Sequence, residues 1–138
     1  LLRLRPMLLR LRAGTRIVSH HFKIPDWEPD ETSWVGVRGV YLWVVPADVA
    51  GGWRVEFSDG KAVDVDAEQT YQRVRGRAVF GEVKAGLRDV TLRGDAIAFA
   101  FVDDVGALRE LTGRVVDGRM EGSFRAGAAA GTWTAARR

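Results

Sequence analysis

Cysteine is absent from the 138 residues, and histidine nearly so, with His20 and His21 the only pair. The first absence excludes disulfides, thiolate metal sites and cysteine nucleophiles. The second confines any imidazole chemistry to one place in the chain. No window of about 18 apolar residues occurs, so nothing spans a membrane and no membrane partner is expected. Arginines interrupt every apolar run of the leucine-rich start, leaving no h-region of a signal peptide, so the expected location is cytoplasmic. Lysine is scarce too: Lys23, Lys61 and Lys84 stand among 21 basic residues, the rest being arginine. Arginine in place of lysine, with much alanine, glycine and valine, suggests a GC-rich bacterial genome.

Acidic residues are missing from the first sixteen positions, which hold Arg3, Arg5, Arg10, Arg12 and Arg16. The rest of the chain carries 16 basic and 18 acidic side chains, so the formal charge of +3 comes from that short segment. A nucleic-acid-binding protein shows a basic face joined to a reading element. Nothing beyond the first segment supplies one, which argues against a nucleic-acid partner.

What the chain does have is strand and turn character, with 16 glycines. Residues 6–14 read as a short helix with Pro6 in its first turn, Met7, Leu8 and Leu11 on one face, and Gly14 closing it. Thr15 to Phe22 reads as a strand. Its consecutive Ile17 and Val18 suggest burial on both faces, as in a parallel sheet covered by helices. Residues 23–33, with two prolines, four acids and a tryptophan, read as a linker. The expected division is therefore 1–33, a helix-strand remnant and linker, and 34–138, a β domain. From Trp34 the apolar pattern has period two, punctuated by Asp59-Gly60, Gly94-Asp95 and Asp117-Gly118, which are strong hairpin signals. Small Ala96, Ala98 and Ala100 alternate with Ile97, Phe99 and Phe101, suiting a curved sheet. The predicted fold is mainly β: an antiparallel barrel or sandwich of about eight strands, preceded by a short α-β unit.

Chemistry-bearing residues are few. His20 and His21 close the predicted parallel strand, and in open α/β sheets that end faces the ligand crevice. Successive strand residues point to opposite sides, so only one of them reaches a given site. The simpler reading is a hydrogen-bonded strand-end histidine. Two imidazoles on opposite faces, with Asp26 as the nearest third ligand, make a poor metal site, and no metal is expected. Asp103-Asp104 reads as a solvated turn. Asp64, Asp66 and Glu68 share one face of a strand with nothing to argue a cleft. The five tryptophans at 27, 34, 43, 53 and 133 either fill a core or line a ligand cavity, and core filling is the simpler reading. His20, His21 and Trp27 are the candidate substrate-binding residues; no catalytic residue is assigned.

The stretch Leu4-Arg5-Pro6-Met7-Leu8-Leu9-Arg10-Leu11-Arg12-Ala13-Gly14-Thr15-Arg16-Ile17-Val18-Ser19-His20 resembles class I S-adenosylmethionine-dependent methyltransferases, at the helix before the fifth core strand and that strand itself. Asp26-Trp27-Glu28-Pro29-Asp30, Tyr41-Leu42-Trp43-Val44-Val45-Pro46-Ala47 and Gly131-Thr132-Trp133-Thr134-Ala135 are similar to a bacterial subgroup with a C-terminal β extension. The resemblance implies the C-terminal part of such an enzyme, its β domain shaping acceptor binding or covering the site. S-adenosylmethionine would be the intact parent's cofactor, and the methyl acceptor is unknown. His21 departs from the acidic residue usual in the family. The glycine-rich cofactor loop and the ribose-binding acid have no matching positions, so this chain alone is expected to be inactive and to hold no cofactor tightly. A non-enzymatic β-barrel module, binding a small ligand or mediating oligomerisation, is the alternative. Self-association through the N-terminal helix-strand unit is the expected partner mode.

Overall fold

The computed structural model describes residues 3–138; Leu1 and Leu2, the start of the expected lead-in, lie outside that range. The helix α1 (Arg5–Leu9) has Pro6 in its first turn and no side-chain cap. It is shorter than predicted because a helix this short depends on tertiary packing, and none of its residues is fully buried. Leu8 and Leu9 pack on a small core. Met7 and Leu11, expected on the buried face with Leu8, are exposed.

Three strands follow: β1 (Arg16–His20), β2 (Glu31–Val35) and β3 (Arg38–Val44). They form one sheet in the order β1-β3-β2. β3 is antiparallel to both neighbours, so β1 and β2 run parallel to each other without touching. Two expectations are corrected here. β1 pairs only with antiparallel β3, and Val18 is 58% exposed while Ile17 is half-buried. The stretch read as a linker ends in strand: Glu31–Val35 is β2, which spans the division expected between residues 33 and 34. Proline and acids hid it, since its β-favouring residues number only three, Thr32, Trp34 and Val35.

One face of this sheet is closed by a core of Ile24, Trp27, Tyr41, Trp43 and Val45, with Ile17 and Tyr71 at its margin. The Trp43 Nε1–H donates to the Trp27 carbonyl at 2.7 Å, and the Trp27 ring stacks on Tyr71. The opposite face carries Val18, Val40 and Leu42, placed together by the register.

The other nine strands are β4 (Gly51–Phe57), β5 (Ala62–Thr70), β6 (Arg73–Phe80), β7 (Val83–Gly86), β8 (Arg88–Arg93), β9 (Ala96–Val102), β10 (Leu108–Val116), β11 (Arg119–Ala126) and β12 (Ala129–Arg137). All ladders are antiparallel hairpins between chain neighbours except one: β12 returns to pair with β4. The sheet thereby curls into a nearly closed barrel. Its seam lies between the edge strands β7 and β8; Leu87, which joins them in the chain, extends the β6–β7 ladder by donating its N–H to the Gly76 carbonyl at 2.9 Å. The expected antiparallel barrel is present. Nine strands build it rather than about eight because Lys84 and Gly86 gave short β7 no apolar alternation to read.

Period two sends Trp53, Val55, Phe57, Phe99, Phe101 and Trp133 inward. Arg54, Glu56, Asp64 and Arg77 face out. The Asp117-Gly118 turn has positive φ at both residues, 51° and 75°, the backbone a two-residue hairpin with matching twist requires. Gly113 and Gly122 stand opposite each other on β10 and β11. The Trp133 indole crosses them, donating from Nε1 to the carbonyls of Thr112 and Ser123 at 3.1 and 3.0 Å. A Cβ on Gly113 would lie 2.8 Å from the Trp133 ring.

The base of the small sheet is fastened to the barrel. The Ala47 N–H donates to the Gly94 carbonyl, and Arg93 pairs with Glu31 at 2.7 Å. Gln69 bridges both parts: its Nε2 donates to the Ala47 and Tyr71 carbonyls, and its Oε1 accepts from the Val49 N–H.

Candidate functional site

The end of the small sheet remote from these ties gathers the carboxyl end of β1, the β2–β3 turn and the segment after β1. His20 is the last residue of β1, exposed, opposite Val40 on the open face. His21 follows with φ 77°, a conformation rarely taken by residues other than glycine. Its N–H donates to the Gly39 carbonyl at 2.7 Å, and its ring meets Phe22 edge-on. His20 thus ends the ladder, whereas His21 leaves it with a left-handed backbone. Asp26 lies instead beside Arg5, at 3.5 Å. Among the described residues no three His, Asp or Glu side chains come close enough to hold a metal ion.

Trp27, the third candidate, is fully buried between Trp43 and Tyr71. Its Nε1–H has no hydrogen-bond partner. The structure thus brings His20 and His21 to the tip of the sheet and leaves Trp27 beneath it.

What sequence reasoning missed is the tip's apolar surface. Phe22, Trp34, Val35 and Val37 are all exposed, Val37 at 92%. Four of the five tryptophans are core residues, and Trp34, 66% exposed, is the exception. A readable signal existed: Trp34-Val35-Gly36-Val37 places large apolar residues on both sides of a turn glycine, where polar residues are usual. Lys23 and Arg38 flank them, the Lys23 Nζ lying 5.3 Å from the Tyr41 ring. The two stretches that build the tip, residues 16–25 and 32–47, contain no aspartate or glutamate.

The barrel interior offers no comparable site. Side chains fill it, leaving a cavity of about 20 Å³ lined by Trp53, Val65, Val74, Ile97, Phe99 and Met120, among others. Ligand pockets run to roughly 300–1,000 Å³.

One end of the barrel is closed by charge. Arg109 points inward from β10 between the rings of Phe57 and Phe124, 4.5 and 5.1 Å from their centres. Its Nε donates to Asp103 at 2.9 Å and its Nη2 to Asp59 at 2.7 Å. The side chains of Arg109 and Asp103 are 4% and 1% exposed. Asp103 also accepts from the Val105 and Ala107 N–H groups. The Lys61 Nζ stands 4.0 Å from Asp103 and 2.8 Å from Asp104. Asp103, read from sequence as part of a solvated turn, is instead a buried ion-pair partner; only Asp104 is exposed. Burial pushes the Asp103 carboxyl up, but Arg109, the two backbone donors and Lys61 outweigh it and hold it below the ordinary value. The Arg109 hydrogen bond holds Asp59 down against a smaller effect of burial. Burial lowers Arg109, and its two carboxylate bonds more than reverse that. Carboxyls depressed this way stay ionised and accept hydrogen bonds, which suits closure of the barrel rather than proton transfer.

Comparison with known protein families, characterised proteins and solved structures returns no match for this chain.

Proposed function

We propose that this chain is the C-terminal portion of a class I S-adenosylmethionine-dependent methyltransferase-like protein, its barrel an appended domain that shapes acceptor binding or covers the site. The supporting observation is the small antiparallel sheet with its open β1 edge. β1 and β2 run parallel with β3 antiparallel between them. Parallel sheets with an antiparallel strand near one edge are common among doubly wound folds. The outer edge of β1 is unpaired among the described residues, and Val18 is exposed beside it. Further parallel strands of a core would add there. His20 and His21 then sit at the carboxyl end of β1, where such sheets receive ligands.

The residues present do not fit the cofactor. The described glycines lie in strands, loops and hairpin turns, none of them in a turn leading from a described strand into a helix. A phosphate- or nucleoside-cradling turn from strand to helix is therefore lacking among them, and no step of methyl transfer is assigned to this chain. Titration calorimetry of the chain with S-adenosylmethionine should show no binding; tight binding would overturn this account. The coding sequence upstream of Leu1 should encode a strand, a glycine-rich turn and a helix, and an in-frame stop codon there would refute the reading.

The open β1 edge also suits the alternative, an oligomerisation module in which a second copy pairs with β1. Light scattering separates the two: a monomer at micromolar concentration favours the first, a concentration-dependent dimer the second. The filled barrel weighs against a small ligand held inside it.

A further inference from the structure

We infer that the tip of the small sheet is a docking surface for anionic phospholipid bilayers, entering the interface with Trp34, Val35, Val37 and Phe22. The sequence-based expectation of no membrane partner concerned spanning segments, and contact of this kind is peripheral.

Three observations carry the inference. First, the four apolar side chains lie on two neighbouring segments at one end of the sheet, and all are exposed. The β2–β3 turn is the outermost point of that end, since the ties to the barrel are all made near its base, at Glu28, Glu31 and Ala47. Second, the tip is cationic without compensation. Lys23 and Arg38 accompany it, and the stretches 16–25 and 32–47 hold no carboxylate. Among the described residues no carboxylate is ion-paired with Lys23 or Arg38, a state they share with several other surface arginines. Third, the residue types suit the location. Tryptophan prefers the headgroup level of a bilayer, and lysine and arginine reach from there toward phosphate. Anionic leaflets attract basic groups at their surface, an attraction that salt screens. A protein partner would need a rim that pairs hydrogen bonds with the tip, and the Val35-Gly36-Val37 turn presents few side-chain donors or acceptors.

Trp34 is its own reporter, because the other four tryptophans are buried. The full chain is mixed with vesicles of phosphatidylcholine and with vesicles containing equal parts of phosphatidylcholine and phosphatidylglycerol. The expected result is a blue shift of emission and protection of Trp34 from acrylamide with the anionic vesicles only, reversed by high salt. In co-sedimentation, Val37→Asp should weaken binding more than tenfold by placing a charge in the interface. Lys23→Gln and Arg38→Gln should each weaken it about fivefold. Circular dichroism and the melting temperature of each variant, unchanged from the parent, show that the fold is retained. Equal binding to neutral vesicles, no binding to either, or indifference to Val37→Asp would overturn the inference. So would protection of Trp34 without lipid in a dimer, or tight capture of a single-stranded oligonucleotide by the same residues in place of vesicles.

Discussion

Replacing Arg109 by methionine keeps most of the stem volume between Phe57 and Phe124 and removes the guanidinium. Two charge-assisted hydrogen bonds disappear, and Asp103, whose side chain is 1% exposed, keeps its charge without its nearest cation. Breaking a buried pair by removing one partner costs about 3–5 kcal/mol. Two backbone donors and Lys61 remain around Asp103, which places the expected loss near the lower end, about 3 kcal/mol. Urea unfolding at pH 7, followed by the fluorescence of the buried tryptophans, measures it. If the penalty is a stranded charge, adding Asp103→Asn to Arg109→Met should recover about 1 kcal/mol or more relative to the additive expectation. pH gives an independent reading. Asp59 and Asp103 are both held below the ordinary carboxyl value of 3.8. Their stabilisation is therefore complete above that value and is lost as pH falls through the lower folded values. In Arg109→Met, Asp103 loses its principal charged partner and protonates at higher pH than in the parent. The stability gap between parent and variant should then narrow as pH drops below about 4. A loss under about 1 kcal/mol, a strictly additive double variant, or a gap that widens in acid would refute the reasoning.

Gly113→Ala should destabilise the barrel by about 1–3 kcal/mol, because its Cβ meets the Trp133 ring and the Glu121 carbonyl; a melting temperature equal to the parent's would contradict that packing. Gln69→Ala strands three partners at the junction of sheet and barrel and should cost about 1–3 kcal/mol, measured by the same urea titration, whereas a neutral result would mean water replaces the amide. Amide exchange reads the β1 edge: because His21 bonds to Gly39, the alternation of an antiparallel ladder turns the Val18 and His20 amides outward, and they should exchange much faster than those of Ile17 and Ser19. Slow exchange at Val18 in the isolated chain would show the edge to be covered.

The barrel was legible because its signals are local. Asp59-Gly60 and Asp117-Gly118 fix turns, and the alternation in Trp53-Arg54-Val55-Glu56-Phe57 fixes which side faces in. The small sheet was harder to read because its partners are remote in the chain. Ile17 and Val18 look like a strand buried on both faces, and nothing near them says that β3, more than twenty residues on, supplies the only ladder. Asp103 illustrates another limit. Next to Asp104 in a loop it reads as solvated, and nothing local marks Arg109, six residues on, as a side chain that turns into the barrel to pair with it. The histidines could be placed at a strand end and named as candidate substrate-binding residues, but their neighbours Gly39 and Val40, on β3, are remote in the chain.

The pairing of β12 with β4 has a consequence for how the molecule is made. Every other ladder of the barrel joins consecutive strands and can form as the chain emerges, whereas this one joins residues 53–57 to residues 133–137. During synthesis the growing sheet must carry Trp53 and Phe57 next to an open β4 edge until the last strand leaves the ribosome. Long-range closure of this sort is slow and exposes an adhesive edge meanwhile. Arg54 and Glu56, on the outward side of β4, put charge along that waiting edge, where it discourages pairing with a neighbouring nascent chain.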